Sequence, residues 1–366
     1  MNGLQIPFTG LKKQYHNLRS EILDVTDEVL RSGQLMNGNY TAEFENWLAK
    51  KNQTKYAVTV HSGTHALECL AEYYVETRPL NTNRPIALIP TLTYAATANA
   101  FIRAGWDVHF IDTDSYGIFD VHKIPNMIWY DAVILVGLYG AGITHMGDLK
   151  TWREWTMNNR IVIEDAAQHW LSSDCLRIGN ASAISFDPMK NLPCYGNGGA
   201  IVTNDSQLFH FARAWRDNGK TTHDSTGTNS RMSEIDCAQM MVKTRYIDSW
   251  QQRRETIASH WCERLREANI RSLISKDNFH DHSFHKFVID TDNRDILQRN
   301  LALRKVETKI HYQLPLHEVG NFRQYLGPDI LSSASALSRR VLSLPIYPEL
   351  TDLEVEYVID QVRDCA

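Results

Sequence analysis

A lysine in an apolar, proline-containing turn is the residue of this sequence best placed for covalent chemistry. Lys190 follows residues 184–189, which include Pro188, and it precedes a glycine-rich run at 196–199. Burial disfavours the charged form of an amine, so a lysine in such a turn can attack a carbonyl carbon. The ordinary alternative is a surface lysine that packs its alkyl chain and keeps its ammonium in water.

Two carboxylates, Glu164 and Asp165, directly follow a short apolar run at residues 161–163. At least one of them should lie near the edge of a sheet, where open α/β sheets bind ligands. A carboxylate there would pair with a protonated ring nitrogen in a bond of about 1.5–3 kcal/mol, which keeps the ring an electron sink. The alternative is an aspartate that only caps a helix.

Two further segments have the composition of a ligand site. Ser62-Gly63-Thr64 stands between a predicted strand and a predicted helix, where backbone N–H groups bind phosphate. Ser62 could equally be an ordinary helix cap. Tyr94 is followed by small alanines and could stack on a flat ring, or it could be a half-buried core tyrosine. The glycines at 196–199 fit either a hairpin turn or a phosphate loop.

Short apolar runs alternate with helical patterns through the first two thirds of the chain. This rhythm predicts an α/β fold with a mostly parallel, seven-stranded sheet flanked by helices. The runs lie at residues 56–60, 86–89, 108–111, 132–136, 161–163, 183–186 and 200–203. We expect a large domain over 1–240, with a helical segment at its start, and a smaller α+β domain over 241–366. One long helix over 235–268 should join them, and a strand is predicted at 309–312.

Composition narrows the function classes. The 366 residues carry a formal net charge of −5, with no block of Lys or Arg, which argues against nucleic acid or an anionic membrane as the main partner. No run of about 18 apolar residues is present to span a bilayer. The six cysteines are dispersed and form no C-x-x-C pair, so a reducing, cytoplasmic location is expected.

Two groups of histidines have spacings that suggest other sites. His61 and His65 have the i,i+4 spacing of metal ligands on a helix, but no third ligand is evident, and no metal is predicted. His280, His282 and His285 lie in a polar stretch, for which a solvated loop is expected.

Taken in order, many blocks of this sequence resemble the DegT/DnrJ/EryC1/StrS sugar aminotransferase family, and the resemblance spans nearly the whole chain. The blocks are Ile6-Pro7-Phe8, Ser32-Gly33, Asn37-Gly38, Phe44-Glu45, Ser62-Gly63-Thr64-His65-Ala66-Leu67, Ala95-Ala96-Thr97-Ala98-Asn99-Ala100, Glu164-Asp165-Ala166-Ala167-Gln168, Ser185-Phe186, Lys190-Asn191-Leu192, Gly198-Gly199-Ala200, Gly227-Thr228-Asn229-Ser230-Arg231-Met232-Ser233, His311-Tyr312, Pro315-Leu316-His317 and Leu344-Pro345-Ile346-Tyr347-Pro348.

The resemblance implies a pyridoxal 5'-phosphate (PLP) enzyme with the aspartate aminotransferase fold (fold type I), passing through pyridoxamine phosphate. It implies that Lys190 is the catalytic Schiff-base lysine and proton carrier, and that Asp165 pairs with the pyridine nitrogen. The other implied cofactor contacts are Gln168 to the phenolic oxygen, Tyr94 stacked on the ring, Gly63, Thr64 and Ser185 on the phosphate, and Asn229 reaching the phosphate from the second subunit of a homodimer.

The implied reaction moves an amino group from an amino acid, L-glutamate in the family, to a keto-sugar, commonly nucleotide-linked, in amino-sugar biosynthesis. Three departures bear on the acceptor: Asp187 stands where the family often has histidine, Val136-Gly137 replaces a usual Val-His, and the stretch from Asp114 to Asp131 is short. Alternatives are a cyclic non-sugar ketone such as an inosose, or a non-catalytic binding or regulatory protein. An NAD-type dehydrogenase is disfavoured because no G-x-G-x-x-G follows an early strand.

Overall fold

The fold is known from a computed structural model, which describes residues 4–77, 84–124, 130–147, 149–158, 160–172, 179–220, 226–277, 279–325 and 331–366. Its larger sheet has seven strands in the order β1-β7-β6-β5-β4-β2-β3. The strands are β1 (Tyr56–Val60), β2 (Ile86–Pro90), β3 (Asp107–Ile111), β4 (Ala132–Val136), β5 (Ile161–Asp165), β6 (Ala181–Ser185) and β7 (Gly199–Thr203). Of these seven, β7 alone runs against its neighbours, so the predicted mostly parallel sheet is confirmed.

Helices pack on both sides of this sheet because its central strands are buried along their whole length and need cover on each face. All five residues of β4, β5, β6 and β7 are buried. The helices of this part are α1 (Leu11–Ser32), α2 (Asn39–Lys51), α3 (Gly63–Thr77), α4 (Ala95–Arg103), α5 (Leu149–Met157), α6 (Ser206–Trp215) and α7 (Glu234–Thr244). Short 3-10 turns lie at Val121–Lys123, Leu138–Gly140 and Ile143–Met146.

The C-terminal part builds a second core around a small antiparallel sheet of order β10-β9-β8. Its elements are α8 (Ile247–Glu267), β8 (Arg271–Ser272), β9 (Phe287–Asp290), α9 (Arg294–Leu303), α10 (Ser332–Ser338), β10 (Val341–Leu344) and α11 (Asp352–Cys365), with 3-10 turns at Leu316–Glu318 and Gly320–Tyr325. Ile6, near the start of the chain, packs into this second core. The domain limits of 1–240 and 241–366 stay a prediction.

Two expectations for secondary structure were wrong. The single helix predicted over 235–268 is two helices, α7 and α8, with a turn at Arg245 and Tyr246. Both residues bond the carboxylate of Glu21 on α1, so contacts with α1 fix the chain at the turn. The strand predicted at 309–312 is reduced to one isolated bridge between Lys309 and Ser343.

A buried carboxylate on α7 holds the start of α2 in place. Glu234 accepts hydrogen bonds from the backbone N–H groups of Gly38, Tyr40 and Thr41, and from the Thr41 hydroxyl at 2.6 Å. Glu234→Ala should lower the free energy of unfolding by about 3 kcal/mol, because buried donors lose a charged acceptor. Denaturant titration checks this, with the exposed Glu255→Ala on α8 as the control, for which a change below about 0.5 kcal/mol is expected. Equal effects of the two substitutions would contradict the assignment.

Candidate active site

A cleft of about 420 Å³ lies at the carboxyl ends of β5 and β6, beside the start of α3. The connections that follow parallel strands meet at this edge, which is why open α/β sheets bind ligands there. Seven of the eight residues implied as site residues line this one cleft: Gly63, Thr64, Tyr94, Asp165, Gln168, Ser185 and Lys190. The structure thus brings together segments that are far apart in sequence.

Lys190 lies in the connection between the antiparallel neighbours β6 and β7. Its backbone N–H donates to the carbonyl of Asp187 at 2.8 Å, which makes the turn tight. Burial lowers the pKa of the Lys190 amine, while the nearby carboxylates of Asp165 and Asp187 act in the opposite direction. A lowered pKa raises the fraction of free amine near neutral pH, which is the form that attacks a carbonyl carbon.

Asp165 is the last residue of β5 and is 6% exposed. Its carboxylate accepts the Thr97 hydroxyl at 2.7 Å and the backbone N–H of Ala167 at 3.2 Å. These bonds fix the orientation of the carboxylate in the cleft. The preceding Glu164 is fully buried and accepts from the backbone N–H of Gly179, so the acid that lines the cleft is Asp165.

The segment predicted to bind phosphate both caps a helix and lines the cleft. Ser62 accepts from the backbone N–H of His65 through its side chain, as expected of a cap. Gly63 begins α3 and packs so closely on Ser185 that a Cβ at Gly63 would lie 2.8 Å from the Ser185 Cβ. Free N–H groups of a helix start and a hydroxyl therefore converge, which suits a phosphate.

Gly199 allows this approach of β7 to the start of α3. A Cβ on Gly199 would lie 2.5 Å from the backbone nitrogen of Gly63, a backbone contact that no side-chain rotation relieves. Gly199→Ala should therefore displace the phosphate cradle and weaken PLP binding by about tenfold or more, measured by titrating the apoprotein. Gly196→Ala is the matched control, because nothing lies within 4 Å of a Cβ there. Equal PLP affinities of the two variants would exclude this role of Gly199.

Gln168 and Tyr94 lie on either side of Tyr312. The Gln168 side chain accepts the backbone N–H of Tyr139 at 2.9 Å and also hydrogen-bonds Tyr312, whose pKa is raised, mainly by burial. Tyr94 is 60% exposed, and its ring centroid lies 6.1 Å from that of Tyr312. Tyr94 is therefore not a core residue, and its exposed ring is free to cover a flat ligand.

Asn229 is the implied site residue that does not line the cleft. It is exposed, and its side-chain oxygen accepts from Arg231 at 3.3 Å. This position leaves its predicted role, a phosphate contact from a second subunit, as a proposal.

One wall of the cleft consists of residues that were not predicted to line the site. His285, Lys286, Lys309, His311 and Tyr312 line it, and Asp187 and Met189 face it. The solvated loop expected around His280–His285 was wrong for its second half, because His282 and His285 are 4% and 5% exposed. Backbone bonds from Ser283 to Gly140 and from Lys286 to Tyr139 join this segment to the 3-10 turn that follows β4. The His311-Tyr312 pair in the sequence was the available signal.

Comparison with known proteins decides the family. The family model described as the DegT/DnrJ/EryC1/StrS aminotransferase family matches residues 16–363. The chain belongs to this family. It is 33% identical to the dTDP-3-amino-3,4,6-trideoxy-alpha-D-glucose transaminase of Streptomyces venezuelae, over 99% of this chain and 96% of that protein. It is 31% identical to a protein of Geobacillus stearothermophilus named pleiotropic regulatory protein, over 99% and 98%.

A solved structure extends the match to three dimensions. DesV of S. venezuelae superposes with a TM-score of 0.90 at 31% identity, covering 99% of this chain and 98% of DesV. As a DegT/DnrJ/EryC1/StrS family member with this fold, the chain is a PLP-dependent aminotransferase of fold type I, and that expectation is confirmed. The residues present fit the cofactor: a buried amine, a buried acid and a glycine-lined helix start share one cleft. Among the described residues, no helix has the length and apolar character to cross a bilayer.

Proposed function

We propose that this aminotransferase transfers an amino group from an amino acid, L-glutamate, to a keto-sugar carried on a nucleotide, as a step in amino-sugar biosynthesis. The observation that carries the proposal is that the half-buried Lys190 and the buried Asp165 share one cleft, in a chain whose S. venezuelae relative is named a dTDP-sugar transaminase. Tyr94 lines the cleft and is 60% exposed, so the cleft is open to solvent on that side.

The cofactor, Asp165 and Lys190 each have a separate role in the proposed reaction. When bound, PLP supplies an electron-withdrawing ring that acidifies the α-C–H bond of the amino donor. Asp165 holds the ring nitrogen in its protonated form, and its bonds to Thr97 and Ala167 keep the carboxylate in position. Lys190 would anchor the cofactor, and once the donor amine displaces it, its Nζ would take the α-proton from the donor and deliver it to the reacting carbon of the cofactor. Burial lowers the pKa of that amine, which favours its deprotonated form.

The active sites of this proposal are shared in a homodimer, with Asn229 of one copy reaching the phosphate bound by the other. Asn229 is exposed and lies outside the cleft of its own chain, which supports such a role. Mixing Lys190→Ala and Asn229→Ala proteins tests it. Shared sites predict activity in the mixture above either variant alone, because one site of the hybrid carries both native residues. No gain on mixing, with hybrids verified by mass, would reject it.

The function is tested with the purified holoenzyme. An absorption band of the lysine-bound cofactor should fade on adding L-glutamate and return on adding the true acceptor. The acceptor panel holds dTDP- and UDP-linked keto-sugars, their free sugars and an inosose, with products identified by mass spectrometry. Return of the band with the inosose alone would replace the nucleotide-sugar assignment by the cyclic-ketone alternative. A protein that binds PLP but does not respond to amino donors would overturn the proposal.

The second candidate is a regulatory protein that keeps the fold without catalysis. The name of the G. stearothermophilus relative, a pleiotropic regulatory protein, favours it. Turnover by the purified protein that is lost in Lys190→Ala would decide for the enzyme.

A further inference from the structure

Two lysines other than Lys190 face the cleft from the unforeseen wall. Lys286 and Lys309 both line it, and their Nζ atoms lie 5.1 Å and 5.2 Å from the ring centroid of Phe8. Phe8 is held by its own backbone N–H, which donates to Glu307 at 2.8 Å. The two ammonium groups are therefore gathered around one fixed aromatic ring at the side of the cleft.

Lys286 is unusual because a lysine is rarely buried without a paired anion. It is 6% exposed, and its Nζ has a long bond of 3.5 Å to the carbonyl of Met189. In the part of the chain that the structure describes, no carboxylate oxygen lies within 4.0 Å of the Nζ of Lys286 or of Lys309. Among the described residues, this wall thus holds two lysine amines with no carboxylate paired to either.

The charged groups around Lys286 also favour an anion at this position. Burial lowers the pKa of Lys286 well below its usual range, and the cations of Lys190, Arg254 and Lys309 lower it further. Asp187 acts in the opposite direction. An anion entering beside Lys286 would relieve this repulsion, because opposite charges a few ångströms apart favour the charged form of both groups.

An aminotransferase has to bind carboxylates, since its donor is an amino acid. The described lining of the cleft contains no arginine, and its lysines are Lys190, Lys286 and Lys309. Lys190 is committed to the cofactor in the resting holoenzyme. The cations left for a carboxylate are therefore Lys286, buried near Lys190, and Lys309, exposed at the mouth of the cleft.

We propose that Lys286 and Lys309 form a carboxylate-binding site on the wall of the cleft that also contains Lys190, and that this site holds a substrate through its acid group. This inference rests on the proposed amino-transfer function for the identity of the substrate. The carboxylate has two possible sources, the amino donor or an acidic group on the keto acceptor. Asp187 lies next to this site and sets how much positive charge it presents.

Binding of glutarate to the holoenzyme tests the site without chemistry, because glutarate has two carboxylates and no amine. Isothermal calorimetry should show glutarate affinity falling about 10–100-fold in Lys286→Met, as expected for the loss of one charged hydrogen bond, and less in the exposed Lys309→Met. Lys12→Met is the matched control, because Lys12 is an exposed lysine on α1 away from the cleft. Glutarate affinity equal to wild type in both cleft variants would overturn the proposal.

Single-turnover half-reactions then identify the source. If the donor supplies the carboxylate, Lys286→Met raises the concentration of L-glutamate needed for half-maximal rate. The concentration of a neutral keto-sugar needed for half-maximal rate stays unchanged. If the acceptor supplies it, the loss appears with acidic ketones and not with L-glutamate. If glutarate binding depends on these lysines but the protein transfers no amino group, the proposed function is rejected and the carboxylate-binding site is retained.

Discussion

Replacing Lys190 with alanine is expected to lower kcat for amino transfer by about 10³–10⁴-fold, the usual contribution of a positioned proton carrier. The reason is specific to this amine: it is the buried lysine whose charge both Asp165 and Asp187 stabilise, which places it beside the acid that would hold the ring. Stopped-flow absorbance on mixing with L-glutamate measures the loss. Lys12→Ala, on the exposed face of α1, should keep the wild-type rate.

Lys286 makes the identity of the reactive amine a real question, because it is a second buried lysine in the same cleft. Reducing the holoenzyme with borohydride should fix the cofactor covalently on the peptide that contains Lys190. Added methylamine should restore part of the rate to Lys190→Ala, since it returns a free amine to the cavity. Label recovered on the Lys286 peptide would overturn the assignment of Lys190.

The sheet and the cofactor end of the cleft were predictable because their signals are local. Each strand of the larger sheet is a mainly apolar run of about five residues; Asp165 ends one of them, and Lys190 lies in the connection that follows another. Alternation of such runs with helices fixes which ends meet. The segment at Ser62 alone left two alternatives open, a helix cap and a phosphate site. Ser62 both caps α3 and lines the cleft, and its role at a phosphate stays a proposal.

The wall of the cleft that contains His285 and Lys286 was not predictable in the same way, because the burial of this segment depends on partners far away in sequence. Apart from Phe284, residues 281–286 are polar, and they are buried because their backbone pairs with residues 139–142, about 140 positions earlier. The turn between α7 and α8 has no glycine or proline to mark it, and contacts with Glu21 on α1 fix it. Neither arrangement has a signal within a window of neighbouring residues.

Asp165→Asn should lower kcat by about 10²–10³-fold while leaving PLP bound, because the amide keeps the shape but cannot hold a protonated ring nitrogen. The substitution should mainly slow the removal of the α-proton. The kinetic isotope effect with α-deuterated L-glutamate should therefore be larger in the variant than in the wild type. Thr97→Val, which removes the hydroxyl bonded to Asp165 at 2.7 Å, should cost about tenfold or less.

Reconstitution with a ring-methylated cofactor separates the charge of the ring from other roles of this carboxylate. The N-methyl group makes the ring permanently positive, so it should recover part of the rate in Asp165→Asn, whereas in the wild type it should crowd the carboxylate and weaken binding. A variant with wild-type kcat, or one that N-methylation does not help, would mean that Asp165 acts through its bonds to Thr97 and Ala167. The electron-sink role would then have to be given to another group in the cleft.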